Sequence, residues 1–194
     1  MKKYTKQQLT CMPYSDLVNL ISSASYDEIV ELSKVVGYPT FARLCMGELK
    51  HKYILLQDGA AAVIVNKKGQ ILLQFRADNE KWGLPGGRQE LGETFEDTIL
   101  REVKEETNLD VNKKDLKLLS VVSGMSRANH YPNGDQVINN TALFIIKRFS
   151  GDLKWNYESK DFRFFDIKCL PHNQNDPDLI EIYLNYIKEN KNGK

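Results

Sequence analysis

The residues with the clearest capacity for chemistry are three glutamates, Glu102, Glu105 and Glu106. Their i, i+3, i+4 spacing places them within roughly one 100° arc of a helix that turns about 100° per residue. Ile99, Leu100 and Val103 lie beside that arc and can anchor the helix to a sheet. Three carboxylates so close repel one another and raise each other's pKa. Arg101 is adjacent and can pair with only part of this charge, while Lys104 points elsewhere. A bound divalent cation would resolve the repulsion, and an all-oxygen ligand set suits Mg²⁺, with Mn²⁺ as the alternative. Taken alone, E-x-x-E-E also reads as a solvated acidic face.

The residues upstream favour the metal reading. Leu84-Pro85-Gly86-Gly87 leads from a strand into a tight loop, where paired glycines permit close backbone approach. Gly92 precedes Glu93 at the expected helix start, where a carboxylate meets the positive end of the dipole. Exposed backbone beside a carboxylate-held cation makes a suitable cradle for a diphosphate.

From Gly87 to Leu109 the chain resembles the signature of the Nudix hydrolases, G-x5-E-x7-R-E-U-x-E-E-x-G-U with U apolar. Gly87, Glu93, Arg101, Glu102, Val103, Glu105, Glu106 and Leu109 fill their slots, and Asn108 replaces the last glycine. That slot lies past the helix end, where left-handed backbone is wanted and Asn is the next best residue. The resemblance extends over residues 60 to 170 or so and leaves residues 1–50 uncovered. It implies an α/β/α sandwich with a mixed sheet, and hydrolysis of a diphosphate linked to another moiety. It also implies that Glu105 and Glu106 ligate Mg²⁺ with the Gly86 carbonyl. Glu102 is a further ligand or the base that activates water, and the base stays open between Glu102 and a residue outside the signature. Arg101 orients the glutamates, and Glu93 binds metal or braces the loop. Glu158 stands where similar enzymes place one more acid, and reads equally as a surface residue.

Other positions bear on the substrate. Arg76 ends a strand before the loop into Trp82; similar enzymes hold phosphate with an arginine there, and an edge-strand arginine is the plainer reading. Trp82 can stack on a base or belong to the core. Gly87 brings backbone close to the phosphates. The segment Arg127–Asp135 is polar, with a Pro-Asn-Gly turn, and can carry specificity near a pocket mouth through His130, Tyr131 or Asp135. ADP-ribose hydrolases of the family typically have a proline some fifteen residues past the signature, and dinucleoside polyphosphate hydrolases a tyrosine. Ser123–Arg127 contains neither, which leaves a nucleoside diphosphate linked to an unspecified group, with a nucleoside triphosphate or a non-catalytic sensor role as alternatives.

These residues need elements to position them. The strand signals are residues 60–65, 70–75, 116–122, 137–147 and 162–167, with a turn at Asn66–Gly69. Glu93–Thr107 reads as a helix, and Asp176 before Pro177 starts a closing helix with Leu179, Ile180, Tyr183 and Ile187 on one face. Residues 1–50 read as short helices. Ser15 caps one, Ser25 and Glu28 form a capping box on a second that Gly37 ends, and a third covers Phe41–Met46. The fold class is therefore α/β (α+β), with 1–50 as a lid or dimerisation arm and 51–194 as the catalytic domain.

Composition bounds the function. Among 194 residues, Lys+Arg number 27 and Asp+Glu 26, a balance that argues against a nucleic-acid binder. No apolar run approaches the roughly 20 residues that cross a bilayer, and no apolar segment follows the basic start as in a signal peptide. Three scattered cysteines fit a reducing cytoplasm better than a disulfide framework. The expected partners are a small nucleotide substrate and a second copy of the chain, with no membrane.

Overall fold

The computed structural model describes residues 4–37, 41, 54–130, 136–154 and 159–192. Among them, three short helices, α1 (Lys6–Thr10), α2 (Tyr14–Ser23) and α3 (Tyr26–Val36), precede a mixed α+β unit. That unit contains β1 (Ile54–Ile64), β2 (Ile71–Arg76), β3 (Trp82–Gly83), β4 (Gly86–Arg88), α4 (Phe95–Thr107), β5 (Leu116–Val122), β6 (Ala128–His130), β7 (Gln136–Ile146), β8 (Ser159–Phe165) and α5 (Pro177–Asn192).

The larger sheet runs β4-β1-β7-β5. β1 and β7 are parallel over their whole lengths, from Ile54 against Gln136 to Ile64 against Ile146. β4 is antiparallel to β1, and β5 and β6 share the other edge of β7. A smaller antiparallel sheet, β3-β2-β8, adjoins it.

Alternation of side chains explains the layers. Ala61, Val63, Leu143 and Ile145 point to one face and pack with Leu179, Ile180 and Tyr183 of α5. Ala60, Ala62, Ile64, Ala142, Phe144 and Ile146 point to the other and pack with Ile99 and Val103 of α4. With both faces covered, the central strands read as continuous apolar runs. The result is a helix–sheet–helix sandwich. The N-terminal helices hold a small core of their own from Leu9, Leu32, Val36 and Phe41.

Several boundaries differ from the sequence reading. α4 begins at Phe95, not Glu93, because Thr94 is the N-cap and forms a reciprocal capping box with Asp97. Glu93 is thereby left in the preceding loop. α2 begins at Tyr14 behind Pro13, so Ser15 lies inside the first turn and caps nothing. The Ser25–Glu28 box and the Gly37 stop of α3 are present. β1 starts six residues before Ala60, since Gln57, Asp58 and Gly59 interrupt its apolar pattern without interrupting its pairing. Residues 42–46 of the expected third helix lie outside the described residues.

The end of α4 carries a stability prediction. Asn108 sits in left-handed backbone at φ 62°, and its side-chain amide donates to Asp152 O at 3.0 Å. Asn108→Ala should cost about 1–2 kcal/mol in urea unfolding, whereas Asn108→Gly should change stability by less than about half of that. Equal losses in the two variants would show that the backbone conformation is not what the position selects.

The start of α4 carries a pH prediction. Asp97 accepts from Thr94 and from Lys113 Nζ at 3.0 Å, and these bonds lower its pKa to about 2 from the usual 3.8. A carboxyl depressed in the folded state adds stability that is complete above pH 3.8 and is lost as pH falls through about 2. The stability difference between the wild type and Asp97→Asn should therefore shrink over that window; a difference that stays constant would remove the ionised cap.

Candidate active site

α4 lies against β1 and β4, and this contact builds the site. Gly86 and Gly87 of β4 pair with Ala61 and Ala60 of β1. A side chain on Gly86, whose φ is 154°, would strike the Ala60 carbonyl, and one on Gly87 would strike the Glu102 carboxylate. Gly86 therefore selects glycine by close approach to backbone, and a side chain at Gly87 would displace the Glu102 carboxylate from the site.

The three glutamates occupy different environments. Glu106 is 3% exposed, and the Gly86 N–H donates to its Oε2 at 2.9 Å. Gln74 of β2 also hydrogen-bonds this carboxylate. Burial, and then the charge of Glu102, nonetheless push the Glu106 pKa up to about 8. The side chain of Glu102 is 14% exposed and that of Glu105 is 58% exposed.

Arg101 ties the other acids together. Its guanidinium donates to Glu93 Oε1 at 2.7 Å, to Glu102 Oε1 at 2.8 Å, to Glu105 Oε2 at 3.3 Å and to Arg88 O at 2.9 Å. Burial disfavours the charged guanidinium, but Glu93 and Glu102 outweigh it and hold the cation firmly. Burial also works against the Glu93 carboxylate. Donors from Arg101, the Glu90 N–H and Thr98 prevail, so its pKa is lowered. Glu93 thus fastens the loop before α4 to the helix.

The acids open onto a cleft of about 1340 Å³ that is lined by Gly86, Gly87, Glu102, Glu105, Glu106 and Arg76, among others. Arg76 is held by Asp78 through two bonds, Nε to Oδ1 at 2.9 Å and Nη2 to Oδ2 at 2.8 Å. Trp82 does not line this cleft. Its ring is buried between Phe75 and Phe165, at centroid distances of 5.1 and 4.8 Å, because β3 pairs into the smaller sheet. The substrate-stacking reading of Trp82 gives way to a core role. Tyr131, Asp135 and Glu158 lie outside the described residues, as does the side chain of His130.

Residues missed by the sequence reading also line the cleft. Asp176, in the sequence only a helix start, is half-buried; desolvation raises its pKa, against the charges of Arg127 and Arg76. Gln57 and Asn139 stand in strands at positions where a purely structural sheet would place apolar groups. Those polar interruptions were the signal available in the sequence.

The donor set fits a hard cation. It is all carboxylate and carbonyl oxygen, it includes a buried acid whose charge is opposed by burial and by a second acid, and it sits beside glycines whose backbone approaches those acids closely. Among the described residues no three acidic side chains converge as a ready-made ligand sphere. Arg101 engages one oxygen of Glu102 and one of Glu105, and so orients both carboxylates at the cleft wall.

Comparison with known proteins is consistent with this geometry. A family model for the NUDIX domain matches residues 55–186. The chain is 39% identical over 125 residues to an ADP-ribose pyrophosphatase of Methanocaldococcus jannaschii, covering 62% of this chain and 69% of that protein. It is 48% identical over 56 residues to a MutT-like protein of Streptomyces ambofaciens, spanning 29% of this chain and 36% of that one. Among solved structures, a MutT NUDIX hydrolase from Burkholderia pseudomallei superposes with a TM-score of 0.54 at 26% identity, covering 65% of this chain and 96% of that chain.

Proposed function

The chain belongs to the Nudix hydrolase family, and from that premise we propose that it cleaves the diphosphate linkage of a nucleoside diphosphate derivative such as ADP-ribose, with Mg²⁺ as the metal. The family acts on small nucleotide substrates and generally uses divalent metals. One observation carries the reading. The buried Glu106 and its neighbours Glu102 and Glu105 face a cleft floored by Gly86 and Gly87, with Arg76 also on its wall. Likeness to the ADP-ribose pyrophosphatase supports the substrate class, against the missing proline noted at 123–127.

Glu105, Glu106, Glu102 and the Gly86 carbonyl would hold the ion. Held there, an ion would supply positive charge to the diphosphate and would lower the pKa of a water. The protein's own contributions are positional. Arg101 fixes Glu102 and Glu93, and Glu93 fixes the loop. Arg76 offers a planar cation to a phosphate once it shares its Asp78 contact. The base that takes the proton from water would be Glu102, on the cleft wall, or a residue outside the signature. On this reading the segment that carries α1, α2 and α3 would act as a lid or a dimerisation arm. Among the described residues no helix is long and apolar enough to cross a membrane, and the proposed cytoplasmic location rests on the scattered cysteines.

The second reading, hydrolysis of a nucleoside triphosphate, is favoured by a short match to a Bacillus subtilis protein provisionally named an 8-oxo-dGTP diphosphatase, 47% identical over 50 residues. Incubation with Mg²⁺ and a panel of nucleoside diphosphate sugars and nucleoside triphosphates decides between them. Release of phosphatase-sensitive products from the sugars, at least about tenfold faster than pyrophosphate from the triphosphates, is expected. The opposite ranking would favour the second reading, and no turnover of either would refute both.

A further inference from the structure

Away from the glutamates, three buried polar atoms facing one cleft have no hydrogen-bond partner among the described residues. They are Gln57 Oε1, Asn139 Oδ1 and Arg127 Nε. Buried polar atoms are ordinarily paired, so a cluster of orphans around one cavity points to a partner that comes from outside the chain.

Their arrangement is fixed by the sheet. Gln57 of β1 and Asn139 of β7 are direct partners in the parallel register, on neighbouring strands about 4.8 Å apart. Thr141 lies two residues along the same face of β7. Arg127 Nη2 reaches Thr141 Oγ1 at 3.3 Å, and Nη1 is held by Asp178 at 2.8 Å. The guanidinium is thus immobilised with Nε left over. This wall belongs to the α5 face of the sheet, whereas the glutamates stand on the α4 side of the same cleft. A group attached to a diphosphate at the glutamates can therefore extend onto it.

The chemistry selects the group. Among the described residues lining the cleft there is no aromatic side chain on which a base could stack. Two acceptors from paired strand residues and one donor on the wall of the same cleft suit hydroxyls, each of which donates and accepts. A hydroxyl also satisfies either end of an amide, so the match does not depend on which way Gln57 and Asn139 are turned. We propose that Gln57, Asn139 and Arg127 form a recognition site for the hydroxyls of a sugar carried by the diphosphate, and that this wall sets preference among substrates. The inference rests on the reading that the cleft takes a nucleoside diphosphate derivative.

Equilibrium binding tests it, with Ca²⁺ in place of Mg²⁺ and with ADP-ribose, ADP and 2′-deoxy-ADP as ligands. The wild type should bind ADP-ribose at least about tenfold tighter than ADP. Gln57→Leu and Asn139→Leu, with melting temperatures checked, should each reduce that ratio roughly five- to tenfold. Asn139→Asp keeps an acceptor and should hold the ratio within about threefold, an outcome that a purely structural role does not produce. If the variants instead narrow the ratio of ADP to 2′-deoxy-ADP, the hydroxyls recognised are those of the nucleoside. Leucine variants with wild-type ratios, or a wild type that fails to discriminate among the three ligands or binds none, would overturn the site. A discriminating wild type that hydrolyses nothing would refute the proposed reaction and leave the site standing. Hydrolysis without discrimination would do the reverse.

Discussion

Glu106→Gln should lower turnover by about two to four orders of magnitude while leaving the fold intact, as read by product release and thermal unfolding. The two readouts separate because of where this side chain sits. Glu106 is almost fully buried and accepts from the Gly86 N–H. Glutamine keeps that carbonyl acceptor and the same shape, so the α4–β4 contact survives. What disappears is a negative charge in a cleft that must hold a cation against a diphosphate. Burial and Glu102 already oppose that charge, so its loss should leave the unfolding temperature equal or higher near and above pH 8. Glu105→Gln should lose activity with little change in stability, since its side chain is largely exposed. Full activity in the double variant would contradict the metal assignment. A collapsed fold in Glu106→Gln alone would mean that the residue is structural.

The same contrast shows what the sequence could reveal. The helix that carries the acids was legible because three glutamates fall on one arc while Ile99 and Val103 fall on the buried side, and side-chain period is a local property. The strands 116–122 and 137–147 were legible for the same reason. The Thr94 cap was harder to see, because Glu93 and Gly92 also look like a helix start. Only the Asp97 partner three residues on distinguishes Thr94, and it shifts Glu93 from a helical position to a loop brace for Arg101. Trp82 was ambiguous because its burial depends on Phe165, more than eighty residues away. The polar wall formed by Gln57 and Asn139 showed in the sequence only as two separate polar interruptions, since the parallel pairing of β1 with β7 that sets them side by side is a long-range fact that no local pattern encodes. Glycine selection at 86 and 87 was visible as a motif. Its cause, close approach to Ala60 and Glu102, needed the packed structure.

Removal of divalent metal should abolish activity, and its restoration should depend steeply on pH. The titrating group is Glu106, whose folded-state pKa is raised to about 8 from 4.5 by burial and then by Glu102. Between those values the folded protein without metal holds a proton that the unfolded chain does not, so this group's contribution to stability falls as pH rises from 4.5 toward about 8. A cation that binds ionised Glu106 must displace that proton. Below about pH 8 its apparent affinity should therefore weaken by up to about tenfold per pH unit, and above it should level off. Mg²⁺ should accordingly raise the melting temperature of EDTA-treated protein far more at pH 8.5 than at pH 6. In Glu106→Gln this pH dependence should flatten, because no proton is left to displace. Metal-independent turnover, or a stabilisation by Mg²⁺ that is the same at both pH values in the wild type, would show that the buried carboxylate does not meet the ion.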